Sequence, residues 1–228
     1  MNESTVNKPT VNKPTSTKDR GYHPTEEKLH CTSHALAALG SVAGTVLLLQ
    51  KSLPLGWQAS LACLAFGVSL FLLYLASSMY HGSSSPGQKA LWRKLDHAAI
   101  YLLIAGSYTP FTLISLRDSW GFWLVIVVWA VALFGILLEF VAHLKFNKLS
   151  LILYLMMGWL AVIAAEPLLE TVPVAGLWWL LAGGLCYSFG VIFYLWHSLF
   201  CHHVIWHCWV VAGSVCHFIS VYWYVLPS

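Results

Sequence analysis

The chain has 228 residues, of which 58% are hydrophobic and 9% charged, with a mean hydropathy of +0.70. This excludes an ordinary soluble domain, whose core cannot absorb so much apolar surface. The net charge of +3 does not point to nucleic acid, because the basic residues lie at the edges of apolar segments rather than in one patch. What remains is an all-α integral membrane protein in contact with membrane lipid.

Residues 1–24 read as a polar tail. The unit Val6-Asn7-Lys8-Pro9-Thr10 repeats as Val11-Asn12-Lys13-Pro14-Thr15, with a proline in each copy and nothing to bury, so disorder is expected. The first apolar run begins too late for a signal peptide and no small-residue cleavage site follows a short apolar stretch. Residues 25–228 are expected to form a single transmembrane domain, with no loop long enough for a second one.

From Thr25 to His34 a short amphipathic lead-in is predicted, with Thr25 as cap and Glu26 and Glu27 at the positive helix end. Seven apolar segments follow, at residues 33–50, 57–80, 98–116, 120–141, 149–165, 174–196 and 203–225. Most are long enough to cross roughly 30 Å of hydrocarbon at about 1.5 Å per residue. Their connections carry turn formers, among them Leu53-Pro54-Leu55-Gly56 and Ser83-Ser84-Ser85-Pro86-Gly87.

A seven-helix bundle puts Lys8, Lys13, Lys18, Arg20, Lys28, Lys89, Arg93, Lys94, Lys145 and Lys148 on one side, against Lys51 and Arg117 on the other. By the positive-inside rule the N-terminus is expected to be cytoplasmic and the C-terminus outside, in the plasma (inner) membrane. Trp57, Trp92, Trp120, Trp178, Trp179, Trp196 and Trp223 fall near predicted helix ends, as interfacial anchors do, while Trp129 and Trp159 sit deeper. The six cysteines form no Cys-x-x-Cys pair and read as small apolar residues.

Eleven histidines are many for so apolar a chain, and the topology brings several of them to the cytoplasmic edge. The second segment ends there with Ser77-Ser78-Met79-Tyr80-His81, the third starts there at Asp96-His97, and the seventh starts there with His203-Val204-Ile205-Trp206-His207. His203 and His207 stand one turn apart on one helical face, a spacing that chelates a divalent ion, and His81 can supply a third nitrogen. Asp96 could then bind or orient a water as fourth ligand. The same histidines read equally well as interfacial residues near headgroups, and His30 and His34 repeat the spacing. His217 lies deeper on a similar face of the seventh segment, to line a pocket or to make a helix-to-helix hydrogen bond. Glu139, His143 and Glu166 are expected at the membrane interfaces.

These residues carry a resemblance. Glu26-Glu27-Lys28-Leu29-His30-Cys31-Thr32-Ser33-His34, Ser77-Ser78-Met79-Tyr80-His81, the run from Leu95-Asp96-His97 to Thr109-Pro110-Phe111, Tyr154-Leu155-Met156-Met157-Gly158-Trp159, Gly183-Gly184-Leu185-Cys186-Tyr187, the His203–His207 pair and Gly213-Ser214-Val215-Cys216-His217-Phe218 together resemble the hemolysin III family. That family is the bacterial branch of the progestin and adipoQ receptor (PAQR) superfamily, and the likeness covers nearly all seven segments. His30 departs from the family pattern, which has asparagine there.

The resemblance implies a zinc ion near the cytoplasmic face on His81, His203 and His207, with Ser77 and Asp96 matching the family's serine and aspartate. It implies two functions from different classes. One is a hydrolase of a lipid amide or ester, with Asp96 as general base for a zinc-activated water, Ser77 hydrogen-bonding water or substrate, and His217 lining an acyl pocket. The other is a non-enzymatic receptor or regulator with structural zinc, or a cytolytic protein, although lysis through a pore calls for a polar stripe that the segments lack.

Overall fold

The computed structural model describes residues 23–141 and 147–227. The N-terminal tail, His143 and Lys145 therefore lie outside the described residues. Among the described residues the helices are α1 (Pro24–Ser52), α2 (Trp57–Gly82), α3 (Pro86–Pro110), α4 (Gly121–Val141), α5 (Asn147–Gly158), α6 (Ala165–Thr171), α7 (Val174–Leu195) and α8 (His202–Ser220). With short 3₁₀ and π turns at their ends they make seven spans long and apolar enough to cross a membrane, the fifth being α5 and α6 joined through Trp159–Ala164.

Two expected boundaries move. The stretch before the first apolar segment is not a separate lead-in, because α1 runs unbroken from Pro24, whose fixed φ suits the first helical position. Its cap is His23 rather than Thr25: the Thr25 N–H donates to His23 Nδ1 at 3.4 Å, and the His23 N–H donates to Glu26 Oε2 at 3.2 Å. The stretch joins the bundle because its inner face is packed, with His30 and His34 both buried. Likewise α3 starts at Pro86, again a proline in the first turn, so Asp96 sits well inside the helix and not at its start.

Large side chains such as Trp57, Phe122, Trp123, Phe134 and Val141 are exposed around the outside, as lipid-facing positions are. Inside, polar groups find partners between helices. Tyr74 of α2 and Tyr187 of α7 reach Ser214 Oγ of α8 at 2.7 and 2.9 Å, while Ser214 donates to the Val210 carbonyl at 3.0 Å. Backbone approaches are close at Gly106, where a Cβ would collide with Ser69, and the missing side chain lets α3 lie against α2.

The fifth span is broken where its sequence cannot keep an α-helical ladder. Pro167 has no N–H, and the turn Trp159–Ala164 upstream of it is 3₁₀. One hydroxyl repairs the break: Tyr108 of α3 donates toward the carbonyls of Met157 (3.0 Å) and Gly158 (2.8 Å) and accepts the Ala161 N–H at 2.7 Å. Tyr108→Phe leaves those backbone groups without this partner in a medium that offers little water. It is expected to destabilise the fold by about 2 kcal/mol, measured as a lower thermal midpoint in detergent; an unchanged midpoint would show that the break is held by packing alone.

Candidate metal centre

The end of the bundle where α1, α3 and α8 begin and α2 finishes holds a buried cluster. His81 comes from the last turn of α2, His203 and His207 from the first two turns of α8. One donor atom of each lies within 4.8 Å of the others, and the rings are 5.2, 5.2 and 4.8 Å apart between centroids. The three histidines expected to share an ion are thus brought together. The local chain explains why: Cys201 takes a left-handed φ of 55° that turns the chain into α8, and its N–H donates to Glu26 Oε1 at 3.2 Å, fastening the start of α8 to the start of α1. The i, i+4 spacing then sets both imidazoles toward α2.

Three residues of α1 belong to the same cluster and were not assigned to it from the sequence. Glu27 Oε2 accepts from His81 Nδ1 at 2.6 Å, its other oxygen accepts from Lys89 Nζ at 2.6 Å, and His30 Nδ1 lies 3.9 Å from Oε2. His34 stacks on His207 with centroids 3.7 Å apart and planes 16° from parallel. Positions 27, 30 and 34 follow i, i+3, i+7, one face of a helix, and that periodicity was the available signal. Glu27, His30 and His81 form a second set with donor atoms within 4.8 Å of one another. Among the described residues this His/Glu cluster could hold a metal ion: buried imidazoles at this spacing suit a divalent ion, and a carboxylate behind one of them orients it.

Ser77 and Asp96 are placed beside the cluster rather than in it. Asp96 belongs to neither set of clustered donor atoms. Both line a cavity of about 1130 Å³ together with His203 and His207. The cavity continues past apolar walls that include Leu103, Ile104, Leu155 and Val191, and reaches His217. His217 itself is buried. It lines the cavity and its Nε2 donates to the Leu180 carbonyl of α7 at 3.2 Å, in space left open by Gly183, where a Cβ would collide with the ring. Elsewhere Glu139 turns inward from the membrane edge, accepting from Ser150 Oγ at 2.8 Å with His97 at 3.6 Å, while Glu166 is exposed.

The chain is 42% identical over 204 residues to Hemolysin-3 of Bacillus cereus, covering 89% of this chain and 93% of that protein. It is 40% identical over 201 residues to a Hemolysin-3 homolog of Bacillus subtilis (strain 168), covering 87% and 94%. A more distant likeness, 28% over 222 residues, covers 91% of this chain and 88% of the human monocyte to macrophage differentiation factor. The sequence model of the family described as haemolysin-III related matches residues 22–218, a stretch that holds Glu27 and His30, His81 and Asp96, and His203 and His207. With seven spans and this match over most of its length, the chain belongs to the haemolysin-III related family of multi-pass membrane proteins.

Proposed function

We propose that the chain is a zinc-dependent hydrolase of a lipid amide or ester bond, with its site near the cytoplasmic face. The observation that carries this reading is the cavity: one space has His203, His207, Ser77 and Asp96 on its wall and a long apolar lining beyond them. A structural site has no need of such a space, whereas a lipid substrate needs both ends of it. Zinc on His81, His203 and His207 would supply Lewis acidity and a water acidic enough to ionise near neutral pH.

The chain's own residues do the rest. Asp96 takes a proton from the attacking water, and Ser77, one turn from His81 on the same cavity wall, hydrogen-bonds water or substrate. The apolar walls hold the acyl chain and keep bulk water from the reacting carbonyl. The ten-to-two distribution of Lys and Arg about the seven spans supports placement at the cytoplasmic face.

Zinc-loaded protein reconstituted in lipid vesicles is expected to release free fatty acid from members of a panel of long-chain N-acyl amides and esters, read by mass spectrometry. Chelation stops the release and added zinc restores it. A folded, zinc-loaded protein that releases nothing across the panel would overturn the hydrolase and leave a non-enzymatic regulator with structural zinc, the reading favoured by the position of His30.

A further inference from the structure

His30 lies within the cluster, and the positions of the rings assign it a role. His30, His81, His203 and His207 have six ring-to-ring separations, and all fall between 4.5 and 5.2 Å between centroids. Four points with nearly equal mutual distances are the corners of a tetrahedron. With edges of about 5 Å its centre is about 3 Å from every corner. Zinc binds an imidazole nitrogen at about 2.0–2.1 Å, and the ring centroid lies about 1 Å beyond that nitrogen, so four such rings suit one ion at their common centre.

We infer that His30 is a fourth protein ligand, so that the resting ion sits among four histidines rather than three histidines and a water. The inference rests on the metal site proposed above and not on the hydrolytic activity. His30 meets the donor spacing with His81 and Glu27 already, and turning its ring about the Cβ–Cγ bond redirects the nitrogens while the centroid stays in place. Glu27 suits the same arrangement. Its Oε2 accepts from His81 Nδ1 at 2.6 Å, which assigns Nε2 of His81 to the ion, and lies 3.9 Å from His30 Nδ1, which makes Glu27 an orienting group. A carboxylate already accepting at 2.6 Å from both His81 and Lys89 has little left for direct ligation.

His34, on the same face of α1, is excluded as a ligand by its geometry: stacked nearly parallel on His207, it presents its face and not its nitrogens. The cavity meets the cluster at Glu27, His34, His203 and His207, and neither His30 nor His81 lines it. Any reaction from the cavity side therefore adds a fifth ligand or displaces His30, which makes α1 part of the control of the site.

The test uses cobalt(II) as the metal in the detergent-purified full chain. Excess azide, which enters an open coordination position, is expected to leave the visible absorption bands of the unaltered protein unchanged and to shift those of His30→Asn. Zinc affinity, measured by chelator competition, is expected to fall at least about tenfold in that variant. X-ray absorption of the zinc-loaded unaltered chain, which needs no variant to fold, is expected to count four imidazoles. Bands shifted equally by azide in both proteins, or a count of three imidazoles, would overturn the inference and leave the three-histidine site standing. A folded unaltered chain that takes up neither metal would overturn both.

Discussion

His207→Ala protein is expected to leave purification with almost no zinc, against about one ion per chain in the unaltered protein. His207 is buried where α1, α2 and α8 meet, with its ring 5.2 Å from that of His81 and 4.8 Å from that of His203. Alanine removes a donor and leaves a space that no neighbouring ligand fills. Loss of an outer-shell partner already weakens metal binding about 10- to 100-fold, so loss of a direct ligand is expected to exceed about 100-fold. Elemental analysis on the monodisperse, folded fraction measures it, with His34→Ala as control, since His34 stacks on His207 without entering either set of clustered donor atoms. Full zinc occupancy in folded His207→Ala would remove the site as proposed.

The second large effect is expected from Asp96→Asn, which should keep its zinc and lose hydrolysis by about 10²–10⁴-fold. Asparagine has nearly the same shape, so the wall of the cavity is preserved; what it cannot do is take a proton. Asp96 also stands outside both sets of clustered donor atoms, so its replacement is expected to leave the ligands in place. Zinc content and turnover measured on the same sample separate the possibilities. Lost zinc would make Asp96 a ligand, and unchanged turnover would remove it as the base.

The residues that converge on the site differ in how far they could be read without coordinates. His203 and His207 share a helix, so their relative placement follows from 3.6 residues per turn, and His81 follows from topology, because an odd number of spans returns the start of the last one to the end where the second finishes. Glu27 and His30 were legible only as members of an i, i+3, i+7 face. Their partner surface, the inner side of α2 and the start of α8, is not a local property of residues 24–34. Reading that stretch as a lead-in separated it from the bundle it packs in, and the same reliance on hydropathy started the third span at 98 when Pro86 begins the helix. Polar turns at the ends of spans carry no apolar signal, although proline at the first helical position marks them.

By itself the sequence determined the number of spans, the bundle class and the helix-borne pair at the heart of the centre, because these depend on apolar length and helical period, which are written along one strand of chain. Only the tertiary structure decided that α1 completes the cluster, that one carboxylate backs two imidazoles, and that Asp96 and Ser77 share a cavity wall with His203 and His207. Those are distances between side chains on different helices, set by how the helices cross and rotate against one another, and packing of the whole bundle is what sets them.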